Sequence, residues 1–356
     1  MNKKSFFTQQ VLIWYSDHQR NLPWRSTRDP YTIWLSEIIL QQTRVAQGLP
    51  YFMRFIKKFP SVYDLAKASE KKVLKEWEGL GYYTRARNLH RCAKRVVSKY
   101  NGRFPDTYNE LITLPGIGSY TAAAIASISF NECVPVVDGN VNRVLCRVFG
   151  IHDEIQSSTG KKRIYALAEK LIDCRQPAAF NQAIMEFGAL HCTPKAPRCS
   201  DCTLAKICVA NKEQLQEWLP VKKKKAPVRK RFFTYFMIKD GRRWAMQQRK
   251  GNDIWKGLYE PYLIETKQQK TVSELIKKDT FLKVLNPDPN VKPSPVYHHL
   301  LSHQKLTIRF VELAIKRKPG KDFKMPGIIK FYSKSALESL PKAIIVHRFI
   351  KEHVAT

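Results

Sequence analysis

Four cysteines within one short stretch constrain the fold of this chain more than any other feature. They follow the pattern Cys192-x6-Cys199-x2-Cys202-x5-Cys208. At this spacing one loop can wrap a single centre without ligands from distant parts of the chain. Zinc accepts four sulfurs, but its common pattern has two close pairs and this chain has only one CxxC. A cubane iron–sulfur cluster also needs four thiolates and tolerates uneven spacing. The spacing therefore predicts a metal centre and favours iron–sulfur over zinc, against the alternative of four unliganded buried cysteines.

The amino terminus gives no sign of export, which bears on how these cysteines are used. The first ten residues turn polar too soon for a signal peptide, and no apolar run is long enough to cross a bilayer. We therefore expect a soluble, intracellular protein. Disulfides are rare in that compartment, so the clustering again favours a metal over disulfide bonds.

The chain is strongly basic, with 62 Lys and Arg against 30 Asp and Glu and a formal net charge of +32. The parts before and after Leu219 both carry this excess. Such a charge suits a polyanionic partner, most simply nucleic acid, whose phosphates bind Lys and Arg with release of counterions. Charge by itself leaves open a ribosomal or membrane-surface protein.

The pattern of apolar residues changes once along the chain. Up to about Trp218, apolar residues recur at helical spacing and proline or glycine marks the breaks. Residues 219–231 are basic and contain proline, which is typical of a linker, with a nuclear-import signal as the other interpretation. Residues 232–356 alternate in a way that predicts a smaller α+β domain. The predicted strands are Phe232–Ile238, Trp244–Gln248, Val296–Tyr297 and Leu306–Leu313. The predicted helices are Thr271–Lys278 and Ser335–Leu340.

A glycine-containing turn at Leu114–Ala122 joins two helical segments. Gly116 and Gly118 let the chain turn tightly and bring backbone N–H groups close to an anion. The following helix begins with its positive end at the same place, which suits a DNA phosphate. Any tight turn between helices can use two glycines, but the small residues that follow and the basic chain favour a DNA-binding hairpin.

The hairpin, the run Val136–Arg143 and the four cysteines together resemble the helix–hairpin–helix DNA glycosylases that carry an iron–sulfur loop. The resemblance covers essentially residues 6–218. It implies a mainly α helix–hairpin–helix glycosylase domain with one [4Fe-4S] cluster on the loop 192–208. Two subfamilies are relevant, the endonuclease III type, which also cuts the strand, and the MutY-type adenine glycosylases.

Three stretches favour the MutY type. The endonuclease III type has a Schiff-base lysine just inside the second helix of the hairpin, where this chain has Ser119-Tyr120 and no amine nucleophile. The run Trp34–Thr43 matches the adenine glycosylase signature, and Gly79–Leu89 is similar to the loop with which that subfamily wedges into DNA.

Excision of adenine needs an acid that protonates the leaving base, and Glu37 is the candidate. A carboxylic acid can donate to N7 of adenine, so that the base departs without a full negative charge. The apolar neighbours of Glu37 predict burial, which would raise its pKa toward neutrality. A surface glutamate on an amphipathic helix is the ordinary alternative.

Asp138 is the second carboxylate, as expected at a glycosidic bond. When ionised, it would stabilise the oxocarbenium ion or attack C1′. Its place before Gly139-Asn140 and a helix also fits a simple N-cap, and both roles are compatible.

The resemblance implies further site residues. Tyr120 and Asn140 would line the catalytic pocket beside Glu37 and Asp138. The residues matching adenine-contacting positions are Trp24, Arg25 and Gln182, with core packing as the alternative for Trp24. The residues implied to contact the DNA, or to hold the partner base once adenine has left the helix, are Gln42, Thr43, Leu80, Tyr82, Gly116 and Gly118.

The carboxy-terminal half resembles the partner-base recognition domain of the same family, a relative of the Nudix fold. Few glutamates follow Trp255–Glu260, so a metal-dependent Nudix hydrolase is not expected. Ser302 and His303 match the loop that reads 8-oxoguanine, but Leu301 replaces its aromatic residue, which puts stacking by that residue in doubt. The neighbouring histidines lack a nearby Cys or Asp that would complete a metal site.

The prediction is therefore a monofunctional glycosylase that removes adenine mispaired with 8-oxoguanine or guanine in double-stranded DNA, as a monomer in the bacterial cytoplasm. An endonuclease III-like glycosylase/lyase is the alternative within the class. A DNA-binding protein with a structural metal and no catalysis is the alternative outside it.

Overall fold

A computed structural model describes residues 2–223, 227–285, 287, 291–315 and 329–354. The chain forms two compact units, Met1–Lys67 with Asn88–Lys224, and Ala68–Arg87 with Lys225–Thr356. Residues 224–226 of the predicted linker lie outside the described residues, and the predicted borders at 218 and 231 stay predictions. Within the described ranges, no helix is long and apolar enough to cross a membrane.

The amino-terminal part of the chain is helical, as predicted, and its described residues contain no strand. Over the whole described chain the helices are α1 (Lys3–His18), α2 (Pro30–Leu40), α3 (Val45–Lys58), α4 (Val62–Lys67), α5 (Glu70–Glu76), α6 (Thr84–Tyr100), α7 (Tyr108–Leu111), α8 (Ser119–Phe130), α9 (Gly139–Phe149), α10 (Ser158–Leu171), α11 (Pro177–Leu190), α12 (Val209–Lys212), α13 (Val272–Lys278), α14 (Thr280–Leu285), α15 (Lys334–Ser339) and α16 (Ile344–His353).

Local signals in the sequence explain where the helices around the site begin. Asp29 caps α2 by accepting from the backbone N–H of Thr32 at 2.9 Å, and Pro30 occupies the first helical position, where no donor is lost. Pro177 begins α11 in the same way. The core of the first unit forms where α1, α9, α10 and α11 bury their apolar faces against one another. This packing fixes α9 and α11, which carry Asp138 at the N-cap and Gln182 respectively.

The second unit contains a mixed sheet, as the α+β prediction requires. Its strands in the described residues are β1 (Arg229–Asp240), β2 (Arg243–Gln248), β3 (Tyr259–Glu260), β4 (Tyr262–Thr266), β5 (Tyr297–Leu301), β6 (Gln304–Ala314) and β7 (Ile329–Ser333). The order is β3-β2-β1-β6-β5, with β4 paired to β1 and β7 to β2. β1 and β6 run parallel, and the other pairs are antiparallel.

Helices cover both faces of this sheet. Phe236 of β1 and Val311 of β6 pack against α13 and α14 on one face. On the other face Phe310 stacks on Phe349 of α16, with ring centroids 3.9 Å apart. Because successive residues of a strand point to opposite faces, the continuous buried run of β1 shows that this strand is covered on both sides. In β6, Phe310 and Val311 are buried on opposite faces, whereas Thr307 and Arg309 are only partly buried.

Candidate active site

Glu37 is buried on α2 and meets Tyr120 of α8. The Tyr120 hydroxyl donates to Glu37 Oε2 at 2.5 Å. Burial raises the pKa of Glu37 to about 7, although the hydrogen bond from Tyr120 opposes the shift. The negative charge of Asp138 adds to the rise. Near neutral pH a substantial fraction of Glu37 therefore carries a proton, as a general acid must.

Asp138 caps α9 and is surrounded by donors. Its Oδ1 accepts from the backbone N–H of Asn140 at 2.8 Å and of Val141 at 2.7 Å, and its Oδ2 accepts from Asn140 Nδ2 at 2.8 Å. Burial raises the pKa of Asp138, but these three hydrogen bonds and the charge of Arg143 oppose the shift. Among the described residues Glu37 accepts from one such donor, so the charged form of Asp138 is stabilised by more hydrogen bonds than that of Glu37.

Two of the residues predicted to contact adenine, Arg25 and Gln182, meet at Tyr15 of α1, although they are far apart in sequence. The Tyr15 hydroxyl donates to Gln182 Oε1 at 2.8 Å, and the guanidinium of Arg25 lies over the Tyr15 ring, 5.6 Å from its centroid. Trp24 is buried with its ring edge-on to Phe52, at a centroid distance of 5.0 Å. This packing is compatible with both predicted roles of Trp24, so its contact with adenine stays a prediction.

Glu186 of α11 belongs to this site and was missed from the sequence. Its carboxylate accepts from Arg25 at 2.8 Å through both oxygens and from Arg20 Nη2 at 2.6 Å. Burial alone would raise the pKa of Glu186, but these hydrogen bonds lower it to about 2. Its position four residues after Gln182, on the same helix face, is the signal that could have identified it.

Of the two hairpin glycines, Gly116 needs the backbone freedom of glycine, whereas Gly118, with φ −95°, does not. Gly116 has φ +78°, and a Cβ there would lie 2.5 Å from Asn88 Cβ, so only glycine fits without a shift. Gly118 precedes α8 without a side-chain cap, which leaves the first N–H groups of the helix available to an external acceptor. Gln42 (φ +56°) and Thr43 follow α2 in the same unit.

The four clustered cysteines line one cavity beside α9 and α11. Burial raises the pKa of Cys202 to about 12 and also raises that of Cys199 and Cys208, so a cationic group is needed to keep them as thiolates. Arg147 Nη1 lies 3.5 Å from Cys192 Sγ.

The geometry of this cavity bears on what the cysteines could hold. In the described parts of the chain, no three His, Cys, Asp or Glu side chains converge closely enough to hold a single ion. The buried His191 also lines the cavity, and neither of its ring nitrogens has a hydrogen-bond partner in the structure. Four soft donors around a shared space fit a multi-atom sulfur cluster better than one ion.

A second cavity, of about 410 Å³, lies entirely within the second unit. Leu80, Tyr82, Ser302 and His303 line it, so the structure brings together two stretches that the sequence predicted separately. The hydroxyls of Tyr82 and Ser302 are hydrogen-bonded to each other. Trp255 also lines this cavity and was not predicted as a site residue.

Two family descriptions match the chain. Residues 35–188 match the HhH-GPD superfamily of base excision DNA repair proteins, and residues 234–352 match the NUDIX domain. The adenine DNA glycosylase of Buchnera aphidicola from Schizaphis graminum is 36% identical over 303 residues, which are 85% of this chain and 86% of that protein. The human adenine DNA glycosylase is 44% identical over 222 residues, which are 60% of this chain and 41% of that one.

Solved structures agree on the fold of the helical part. A thermostable thymine-DNA glycosylase is 31% identical with a TM-score of 0.56, covering 59% of this chain and 97% of its own. An endonuclease III in a non-covalent DNA complex has a TM-score of 0.53 at 22% identity, covering 61% of this chain and 99% of its own. The second likeness concerns the fold alone.

Proposed function

Since this chain belongs to the adenine DNA glycosylases of the HhH-GPD superfamily and excises adenine in base excision repair, we propose that its substrate is adenine opposite 8-oxoguanine or guanine. We further propose that Glu37 and Asp138 divide the work of catalysis. One observation supports this division: the two carboxyl groups differ in their hydrogen bonds. Among the described residues, Glu37 accepts one hydrogen bond and has a pKa of about 7, whereas Asp138 accepts three.

In this mechanism Glu37 transfers its proton to N7 of adenine as the bond between N9 and C1′ breaks. The electron pair of that bond leaves with the base, and the sugar becomes an oxocarbenium ion. Asp138, ionised and fixed by its three hydrogen bonds, stabilises that cation until water adds to C1′. The proton that this water releases returns to the Glu37 carboxylate, which restores the enzyme for the next turnover. Tyr120 and Asn140 position Glu37 and Asp138 respectively.

The base itself would be held by Arg25, Gln182 and Trp24. Tyr15 and Glu186 fix the first two of these, so the pocket is ordered before substrate arrives. Trp24 would contribute as a packed wall of the pocket.

We propose no strand cleavage, because Ser119-Tyr120 stand where a lyase of this family has its amine, just inside the second helix of the hairpin. A sugar aldehyde then finds no Schiff-base partner there, and the product is an abasic site in an intact strand.

The partner base would be read in the second unit. Ser302 and His303 offer hydrogen bonds to an oxidised purine, and Tyr82 and Leu80 line the same cavity. Gln42 and Thr43 would help to hold the partner strand, and the N–H groups near Gly116 and Gly118 would bind a phosphate.

Cys192, Cys199, Cys202 and Cys208 would hold one [4Fe-4S] cluster. When bound, the cluster supplies a positively charged centre that keeps the four thiolates ionised and fixes the loop 192–208. We also propose that the protein acts as a monomer in the bacterial cytoplasm. Iron and sulfide analysis tests the cofactor: four irons per chain are expected, and one zinc would overturn the assignment.

A labelled duplex with one adenine opposite 8-oxoguanine tests the function. We expect breakage only after alkali, faster opposite 8-oxoguanine than opposite guanine, and none from adenine opposite thymine. The Glu37→Gln variant should bind the duplex but release no adenine, whereas Glu217→Gln, an exposed glutamate, should behave as wild type. Breakage without alkali would indicate a lyase. Binding without excision by the wild-type protein would indicate a DNA-binding protein.

A further inference from the structure

The imidazole of His191 is buried at the end of α11, directly before Cys192. His191 is the C-cap of this helix and is 3% exposed. Among the described residues, neither of its ring nitrogens has a hydrogen-bond partner. An imidazole carries at least one N–H in every protonation state, and a buried donor without an acceptor destabilises a fold. The ring is therefore expected to donate to an acceptor that is not a protein atom.

The neighbours of the His191 ring are aromatic and hold it in place. Phe187 stacks on it with ring centroids 4.9 Å apart, and Trp14 meets it edge-on at 5.9 Å. The backbone is held as well, because the N–H of His191 donates to the Phe187 carbonyl at 2.9 Å and its carbonyl accepts from the N–H of Arg198 at 3.2 Å. A hydrogen bond from this ring therefore costs little side-chain entropy.

Sulfur atoms are the acceptors that this part of the chain provides. The imidazole lines the same cavity as Cys192, Cys199, Cys202 and Cys208. Other N–H groups already approach these sulfurs: Arg147 Nη1 lies 3.5 Å from Cys192 Sγ, and Gln216 Nε2 lies 4.0 Å from Cys199 Sγ. Such donors around a metal centre orient its ligands and tune its properties.

We infer that the His191 ring donates a hydrogen bond to a sulfur of the cluster proposed for this loop, and that this bond makes the cluster easier to reduce. The inference rests on the proposed cofactor, because the acceptor is a thiolate or a sulfide of that cluster. One added electron increases the negative charge on the sulfurs, and an N–H directed at them stabilises that charge. The consequence is a property of the cofactor, so it can be measured without DNA.

Trp14 provides the alternative explanation. Its indole Nε1 is also buried and has no hydrogen-bond partner among the residues that the structure describes. A buried water that bridges Trp14 and His191 would satisfy both rings. In that arrangement His191 directs no N–H at the cluster, and the reduction potential does not depend on it.

Pulsed electron paramagnetic resonance of the cluster-loaded protein tests the contact directly. After the cluster gains one electron from an electrode, its unpaired spin couples to nearby nitrogen nuclei. With ¹⁵N-labelled histidine we expect a histidine coupling in wild type that disappears in His191→Phe. It should persist in His152→Gln, at an exposed histidine outside the cavity lining. A wild-type protein without any histidine coupling would overturn the inference, whatever the variants do.

The midpoint potential of the same couple measures the consequence. His191→Phe keeps a ring that can stack on Phe187 but has no N–H. We expect its one-electron equilibrium to shift about tenfold toward the oxidised cluster, which is a potential about 59 mV lower. His191→Gln supplies an amide donor and should recover most of this shift, and His152→Gln should match wild type. An unchanged potential in iron-loaded His191→Phe would favour the bridging water and overturn the inference.

Iron analysis separates a failure of the proposed cofactor from a failure of the role of His191. If the wild-type protein binds zinc or no metal, the proposed cluster fails and this inference fails with it. If four irons bind per chain but the histidine coupling and the shift in potential are absent, only the role of His191 is overturned. Adenine excision is measured separately, on the labelled duplex.

Discussion

Arg143 Nη2 donates to Asn140 Oδ1 at 2.8 Å and so orients the amide whose nitrogen donates to Asp138. The same guanidinium donates to the carbonyls of Gly188 at 2.6 Å and of Cys192 at 2.7 Å. One buried side chain therefore connects the first cysteine of the loop to the carboxylate that is proposed to face the cation. Order in the cysteine loop and order at Asp138 should depend on each other.

Arg143→Met tests this connection. We expect adenine excision to slow about 100-fold, because Asn140 loses its orientation and Asp138 is misplaced by a fraction of an ångström. Two buried carbonyls also lose their donor, so the free energy of unfolding should fall by about 1–3 kcal/mol. Single-turnover excision and urea unfolding measure the two effects. Arg163→Met, at a surface ion pair, should change neither. An unchanged excision rate in a destabilised Arg143→Met protein would make this residue merely structural.

Excision should depend on pH through Glu37. Its pKa of about 7 means that the acid form is lost as the pH rises through 7, so single-turnover excision should decline above that pH. Rates from pH 5.5 to 9, with DNA binding measured in parallel, would show this. A rate that stays constant up to pH 9 would exclude Glu37 as the acid.

The raised pKa of Glu37 also makes a prediction about stability. The folded state holds this proton more tightly than the unfolded state, so stability is lost as the pH rises from about 4.5 to about 7, by at most about 3 kcal/mol. Glu37→Gln removes the penalty and should therefore unfold at a higher temperature than wild type at pH 8, while being inactive. Calorimetry at pH 5 and pH 8 measures the difference, which should be small at pH 5. Equal stabilisation at both pH values would show that the buried charge of Glu37 is not the cause.

The features that could be predicted from the sequence are those that depend on local sequence pattern. The hairpin glycines, the Asp138 cap and the switch from helical to alternating spacing all depend on neighbours within a few residues. Glu186 and its partner Arg20 are 166 residues apart, and Trp255 and Tyr82 line one cavity only because of the fold of the second unit. No periodicity encodes such pairs, because they depend on how whole helices and strands pack. The same reason explains why residues 68–87 were not predicted to belong to the second unit.

Glu186→Gln should loosen the positioning of Arg25 in the proposed adenine pocket and lower the free energy of unfolding. It leaves Arg20 and Arg25 with a neutral partner in a buried setting, and such a change typically costs about 3 kcal/mol. Since the pKa of Glu186 is lowered to about 2, its contribution to stability is present above pH 4.5 and is lost as the pH falls toward 2. Acid unfolding followed by circular dichroism should show a smaller loss for the variant than for wild type. An equal loss would place the acid-sensitive group elsewhere.

Cys133 and Cys174 form a disulfide that the sequence did not suggest, because the clustered cysteines favoured a metal over disulfides. The pair is exposed and closes a loop of the chain that contains α9 and Asp138. Closing a loop of 41 residues restricts the unfolded chain, which by the entropic account stabilises the fold by about 2–4 kcal/mol. A reductant should therefore lower the free energy of unfolding by that amount in wild type and have no effect on Cys133→Ser/Cys174→Ser.

Alkylation of the unfolded, cluster-free, unreduced protein should modify six of the eight cysteines. Modification of all eight would show that the two thiols are free in solution.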